Sequence, residues 1–390
     1  MKIVSARIQN FKGVRDATLK LQQPGEEEPD SLHAVLGDNG SGKTTILQAI
    51  ALTLGLATRR VSALNRFPWY GFVPQRLSTM GKTEVDIEVA LDAEEIAATK
   101  HLFNVWRQRL SRREARRQAE PGESKRLRVS LKNGWVTTSS ENGGYAGAQL
   151  LGRHYLRELS GRGFDPREHL GKVGDVFWYD QYRNLGRALE TPGAGHQEGT
   201  APDTPPGVTA YGVAAGPPIG AEVTPRESWI LGVDQLRRFL QDWWTYHVSP
   251  QRLQGPDLFP ELENLFGKVF PGTQFRGPQP MDATGAESAP RFFFLLERAG
   301  RVFDIAEMSS GEQAIFPLIC DIVRLNVRKS VVLIDELEMH LHPPEQQALL
   351  AALPKMAPDC QFIITTHSPF VEGSIPKEQE TRLREGRLCL

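Results

Sequence analysis

The spacing of apolar residues changes along the chain, and each change marks an element. In residues 83–92 apolar and polar positions alternate, with Val85, Ile87, Val89 and Leu91 on one side, the period of a half-buried strand. Residues 2–21 predict two short strands about Asn10-Phe11-Lys12-Gly13, and 22–31 a turn. His33-Ala34-Val35-Leu36 predicts a buried strand that stops at Gly37, after which Ile46, Leu47, Ile50 and Leu54 recur at helical spacing. Val176-Phe177-Trp178-Tyr179 predicts an aromatic strand, Trp229–Tyr246 a helix, and 291–305 a hairpin. From Ser309 to Ser368 the pattern runs helix, strand, helix, strand. Between Gly186 and Glu227, Gly, Pro, Ala and Thr crowd the sequence without any apolar period. Such a stretch buries too little surface to offset its ordering entropy, so it predicts a flexible insertion.

Composition narrows this picture. The 390 residues, 40% of them hydrophobic, suffice for one large core or two modest ones. Lys and Arg number 46 against 47 Asp and Glu, so there is no bulk attraction to nucleic acid or membrane, and any such binding must come from a local patch. One basic stretch exists: Arg107, Arg109, Arg112, Arg113, Arg116, Arg117, Arg126 and Arg128 fall within 101–132. It reads either as a solvated helical lid or as a phosphate-contacting surface. Cys320, Cys360 and Cys389 lie far apart in no ligand-like spacing, which fits a reducing compartment without a disulfide framework or zinc site. Met1–Ser5 run straight into a strand pattern, and no apolar run approaches the roughly 20 residues of a membrane span. The expectation is a cytoplasmic protein with no membrane partner.

Four motifs carry chemistry. Gly37-Asp38-Asn39-Gly40-Ser41-Gly42-Lys43-Thr44 fits a phosphate-binding loop set between a strand and a helix. Its glycines let backbone N–H groups close around phosphate oxygens, Lys43 reaches the β- and γ-phosphates, and the Thr44 hydroxyl suits Mg²⁺. Val331-Val332-Leu333-Ile334-Asp335-Glu336 predicts a buried parallel strand delivering two carboxylates at its C-terminal end. There Asp335 suits the metal and Glu336 the attacking water. Met308-Ser309-Ser310-Gly311-Glu312-Gln313 precedes a helix and reads as an anion site or as an ordinary cap with Glu three residues on. Phe362-Ile363-Ile364-Thr365-Thr366-His367 is a strand ending in a histidine, expected beside the Asp335 strand so that His367 can face the γ-phosphate.

Together "NFKGVRD", "LGDNGSGKTT", "MSSGEQ", "VVLIDELEMHLHPPEQQ" and "FIITTHSP" resemble the ABC ATPase heads of SMC-like and OLD-like proteins, over residues 1–60 and about 300–375. "DELEMHLHP" is most like the OLD-type and bacterial-defence ATPases. The resemblance implies an α/β P-loop NTPase of ABC-head type, with a mixed sheet, an N-terminal antiparallel β subdomain and a helical insertion. It divides the chain into an N-terminal lobe (1–100), a basic helical lid and Q-loop strand (101–185), the flexible insertion (186–228), a helical insertion (229–290) and a C-terminal lobe (291–390). It implies ATP and Mg²⁺ as ligands. Gly37, Asn39, Gly40, Ser41, Gly42, Lys43, Thr44 and Thr45 would hold the nucleotide, with Ser309 and Gly311 as the signature motif contacting the γ-phosphate bound to a second copy. Thr44, Asp335 and Gln181 would serve the metal, and Glu336, Lys43, His367 and Gln181 catalysis. Gln75 is the alternative to Gln181 as the metal-sensing glutamine, and Phe11 and Lys12 occupy the region near the adenine in such heads. Ser310 stands where many relatives have glycine, and Met308 where leucine is usual. No long heptads separate Gln181 from Ser309, unlike long-armed SMC proteins, and the chain leaves no room after His367 for an OLD-type nuclease domain. The implied function is ATP hydrolysis by a head-to-tail dimer in an anti-phage system with a separate nuclease or toxin effector. The alternative is a DNA-binding ATPase of repair or maintenance.

Overall fold

A computed structural model describes residues 1–69, 71–77, 81–160, 164, 166–181, 233–249, 257–281 and 292–383. The chain opens with the antiparallel pair β1 (Lys2–Phe11) and β2 (Val14–Lys20), and Lys12 takes a φ of 51° in the turn between them. β3 (Leu32–Leu36) runs into the glycine-rich loop that opens α1 (Lys43–Ala57). β4 (Glu84–Ala90) and α2 (Ala93–Arg107) follow, the helix capped by the Asp92 side chain, which accepts from the Glu95 N–H. β5 (Arg126–Lys132) and β6 (Trp135–Ser140) form a hairpin whose two-residue turn, Asn133-Gly134, has positive φ at both positions. After α3 (Gly152–Leu159) comes β7 (Val176–Tyr179). The second half adds α4 (Val233–Val248), α5 (Phe259–Val269), β8 (Thr273–Pro280), β9 (Phe292–Arg298) and β10 (Arg301–Asp304). It ends with α6 (Ser310–Arg324), β11 (Val331–Ile334), α7 (Pro343–Met356), β12 (Gln361–Thr366) and β13 (Glu380–Arg382).

The strands make three sheets. An antiparallel sheet has the order β2-β1-β4-β5-β6, a parallel sheet β13-β3-β12-β11-β7, and a small antiparallel sheet β10-β9-β8. Of the parallel strands, β3, β7, β11 and β12 are buried on both sides, and the side-chain period of two sorts their residues. Val35, Val176, Trp178, Val331, Leu333 and Ile363 share a core with α1 and the first antiparallel sheet. Leu36, Phe177, Tyr179, Val332, Ile334, Phe362 and Ile364 share another with α4 to α7 and the small sheet. Helix α1 is thus wedged between two sheets and buried nearly all round. A third cluster ties Leu102, Phe103 and Trp106 of α2 to Tyr155, Leu156 and Leu159 of α3.

Several sequence expectations meet differences here. The stretch read as a helical lid divides: Arg107 ends α2, Arg112–Ala115 is one helical turn, and Arg126 and Arg128 lie in β5. The alternation of Leu127, Val129 and Leu131 with polar residues explains the strand, which the density of arginines obscured. β8 falls within the span 229–290 expected to be a helical insertion; its glycine and two prolines break the apolar pattern that would have marked a strand. The insertion at 186–228 lies outside the described residues, as does Cys389; Cys320 and Cys360 are buried. Among the described residues no helix is long and apolar enough to cross a membrane.

His33 locks β3 to its neighbours. Its Nε2 lies 2.9 Å from the Thr381 hydroxyl on β13, and Nδ1 lies 3.3 Å from an Asp30 carboxylate oxygen. Burial lowers its pKa from 6.5 to about 4. Between those values the unfolded chain binds a proton that the folded chain does not, so stability falls as pH drops through that window, by up to about 1.4 kcal/mol per unit of pH. The urea midpoint should therefore fall from pH 7 to pH 5, and fall less in His33→Asn; equal drops in the two proteins would contradict this account.

Candidate active site

The loop between β3 and α1 is shaped for an anion. Gly37, Gly40 and Gly42 have φ of 157°, 80° and 95°. At Gly42, immediately before α1, a side chain would be strained in the left-handed region, so glycine is required there. A Cβ at Gly37 would stand 2.6 Å from the Ser41 hydroxyl oxygen. Asn39 and Gly40 are exposed at the rim, while Thr44 and Thr45 are half-buried on the first turn of α1. Lys43 is buried, and its ammonium folds back to donate to the carbonyls of Gly37 at 2.7 Å and Asp38 at 2.9 Å. The Ser41 hydroxyl is buried and has no hydrogen-bond partner among the described residues.

Opposite this loop the parallel sheet presents two acids. β12 lies between β3 and β11, so all three strand ends open on the same edge. Asp335, at the end of β11, is fully buried. Its carboxylate accepts from the Thr44 hydroxyl (2.8 and 3.0 Å to its two oxygens) and from the Thr365 hydroxyl on β12 at 2.6 Å. Its backbone N–H donates to the Tyr179 carbonyl of β7 at 2.7 Å. The next residue, Glu336, is left-handed with φ 47°, a conformation costing roughly 1–3 kcal/mol outside glycine. That turn aims its N–H at the Thr365 hydroxyl oxygen, 2.7 Å away. Burial, then the charges of Asp335 and Glu338, raise the pKa of the half-buried Glu336 carboxyl above the ordinary range, with His367 and Lys43 opposing.

His367, just beyond β12, is exposed, and its Nδ1 lies 2.8 Å from the Glu338 carboxylate. Gln181 follows β7 at the same edge of the sheet, half-buried, whereas Gln75 is exposed on a 3-10 turn over Pro74–Arg76. Phe11 is wholly inside a core, so its ring is not on a nucleotide-facing surface, and Lys12 donates to Gln48 of α1 at 2.9 Å. Ser309 is the N-cap of α6 in a reciprocal capping box with Glu312: its hydroxyl accepts from the Glu312 N–H, and its own N–H donates back at 2.9 Å. Ser309 and Ser310 are exposed, whereas a Cβ on buried Gly311 would stand 2.7 Å from the His340 carbonyl. Acids meet part of the basic stretch. Arg107 pairs with Glu120, Lys100 with Glu123, and Arg126 with Glu88 at 2.8 Å, leaving Arg109, Arg112, Arg113, Arg116, Arg117 and Arg128 exposed.

These residues fit Mg²⁺ and a nucleoside triphosphate. The orphaned Ser41 hydroxyl and the glycine cradle suit phosphate oxygens, and the Thr44 hydroxyl beside a buried carboxylate offers the hard oxygen donors Mg²⁺ takes. Sequence reasoning did not single out Thr365 or Glu338. Both stand inside motifs that were read, but only the tertiary pairing of β12 with β11 shows what they bond.

Residues 1–120 match a family model described as AAA ATPase domain, and residues 218–371 one described as AAA domain, putative AbiEii toxin, Type IV TA system. The chain is 32% identical over 110 residues to a retron Vc95 probable ATPase of Vibrio cholerae serotype O1 biovar El Tor, covering 25% of this chain and 21% of that protein. It is 38% identical over 94 residues to a retron Ec83 probable ATPase of Escherichia coli, covering 21% of this chain and 17% of that protein. The chain thus matches about a fifth of the length of these relatives. Among solved structures, an SMC head bound to the C-winged helix domain of ScpA aligns with a TM-score of 0.48 and 15% identity, covering 96% of this chain and 92% of that one.

Thr365 joins both acids of the site through one hydroxyl. Thr365→Val should leave the Asp335 carboxylate short of a donor and the Glu336 N–H without its acceptor, costing about 1–3 kcal/mol in urea denaturation, while Thr365→Ser stays close to wild type. A valine variant as stable as wild type would show that the hydroxyl carries no such burden.

Proposed function

Taking the chain as an AAA/ABC-type ATPase that resembles defence-associated ATPases, we propose that it hydrolyses ATP in sites shared between two copies of itself. One observation carries the hydrolytic reading: the hydroxyl of the phosphate-loop residue Thr44 donates to the buried Asp335, with Glu336 next in the chain. On ATP binding, the Lys43 ammonium would exchange the carbonyls of Gly37 and Asp38 for phosphate oxygens, and the Ser41 hydroxyl would gain a partner. Thr44 and Asp335 would hold Mg²⁺, which when bound neutralises charge on the β- and γ-phosphate oxygens. Glu336 would accept a proton from the attacking water, its raised pKa bringing its basicity closer to the task. Gln181 would order that water or the metal shell, and His367 would face the transferred phosphate.

The placing of the motifs supports the dimer. Helix α1 belongs to the core on one face of the parallel sheet and α6 to the core on the other, so the phosphate loop and Ser309 open from different layers. Ser309 is nevertheless exposed at a helix N-terminus, an anion-binding position. A head-to-tail pair with twofold symmetry would bring each Ser309 to the nucleotide on the other copy, giving two composite sites from one self-complementary surface. The resemblance to retron ATPases supports a role in bacterial anti-phage defence beside a separate effector such as a nuclease or toxin, in the cytoplasm. Direct DNA binding is the competing role. The ion pairs at Arg107 and Arg126 remove those two arginines from such a surface, while Arg112, Arg113, Arg116 and Arg117 stay exposed on it.

Ser309→Arg and Lys43→Ala should each abolish ATP turnover. The first should still bind ATP through its own loop. Mixed, the two variants should recover part of the wild-type rate of phosphate release, because one composite site then holds an intact loop and an intact Ser309. No recovery despite demonstrated subunit exchange, or normal turnover by Ser309→Arg alone, would defeat the shared-site model.

A further inference from the structure

Glu338 lies two residues past Glu336, in the turn that leaves β11, and its side chain is only 7% exposed. Its polar contacts are unlike those of Asp335, the buried acid three residues before it. Asp335 draws donors from two different elements, α1 and β12. The Glu338 carboxylate converges on a single residue: Oε1 accepts the backbone N–H of His367 at 2.6 Å and lies 2.8 Å from that residue's Nδ1. Oε2 is buried with no hydrogen-bond partner among the described residues. An acid placed only to tie strands together would spread its bonds over both oxygens. This one holds one histidine by its backbone and ring together.

The consequence for the ring is specific. An ionised carboxylate only accepts hydrogen bonds, so a ring nitrogen facing it must carry the proton. With the carboxylate oxygen 2.8 Å from Nδ1, the uncharged ring is favoured with its proton there and its lone pair on Nε2, the nitrogen at the far edge of a side chain that is 47% exposed. The carboxylate packed against one nitrogen thus favours one tautomer and leaves the other nitrogen as the acceptor.

We propose that Glu338 is a positioning residue that holds His367 as the Nδ1–H tautomer with Nε2 turned to the transferred phosphate. This rests on the reading of the site as an ATPase. Glu338 touches neither nucleotide nor metal in this scheme and acts only through His367. Its effect therefore falls on turnover, while nucleotide binding stays with the loop at 37–44.

The test uses the full chain with ¹⁵N-labelled histidine, the His367 resonances being those lost in His367→Ala. In wild type, long-range ¹⁵N–¹H spectra should report the Nδ1–H tautomer, and Glu338→Ala should release the ring to the Nε2–H form that free histidine prefers. In steady-state kinetics Glu338→Ala should lower kcat by about 10–100-fold with KM for ATP changed less than about threefold. Glu338→Gln, which keeps an acceptor oxygen, should recover most of the rate. Glu338→Ala should cost nothing further in a His367→Ala background. A wild-type His367 in the Nε2–H form overturns the proposal, and that measurement stands even if Glu338→Ala does not fold. So does an undiminished kcat in Glu338→Ala, or equal losses from it in the presence and absence of His367. Absence of turnover in wild type would instead defeat the ATPase reading, leaving the tautomer measurement to decide the role of Glu338.

Discussion

A carboxylate buried at the end of a strand governs the arrangement around it. Asp335 is out of contact with water, and an unpaired charge there would cost several kcal/mol. The Thr44 and Thr365 hydroxyls offset that cost, and in doing so they fix the first turn of α1 against the ends of β11 and β12. The same Thr365 oxygen then accepts the Glu336 N–H, which holds the second acid in a left-handed turn it would not adopt unaided. The glycine-rich loop, the buried acid and the candidate base are therefore parts of one hydrogen-bonded unit. None of these groups can move far without exposing another's unmet bond.

That unit depends in turn on a sheet buried on both faces. Strand alternation sends Val331 and Leu333 toward α1, and Val332 and Ile334 toward α6 and α7. The helix carrying Ser309 is thereby assigned to the far layer from the helix carrying Lys43. Gly311 seats the start of α6 against the His340–Leu341 turn, where any larger residue would meet backbone. The turn after Asp335 thus touches the start of the helix that would serve a second copy. In the proposed dimer, the two composite sites are joined through this contact as well as across the interface.

Much of this was legible in the sequence because the motifs carry their own geometry. Gly37 to Thr44 can close only between a strand and a helix, and four apolar residues before Asp335 mark a strand buried on both faces. The neighbouring places of β12 and β11 also agree with the order read from the chain. What escaped was whatever depends on pairing across the chain. Thr365 is one of two threonines in a strand, and nothing local distinguishes the one that bonds Asp335 from its neighbour. Glu338 looks like one more acid after Glu336 until the His367 ring is seen against it. Phe11 is the converse case: a motif suggested a place beside the nucleotide, while the left-handed Asn10 breaks the alternation of Ala6 and Ile8 and the ring lies in the core. Arg126 and Arg128 show how composition misleads, since their strand is set by the leucines and valine between them.

The central claim is that this unit hydrolyses ATP with Glu336 as the proton acceptor. Steady-state phosphate release from Mg–ATP, measured beside equilibrium ATP binding for wild type and Glu336→Gln, tests it most directly. The account predicts turnover by wild type, and a rate lower by about 10²–10⁴-fold in the variant with ATP binding retained. No turnover by wild type under conditions where it binds Mg–ATP, or equal turnover by the two proteins, would contradict it.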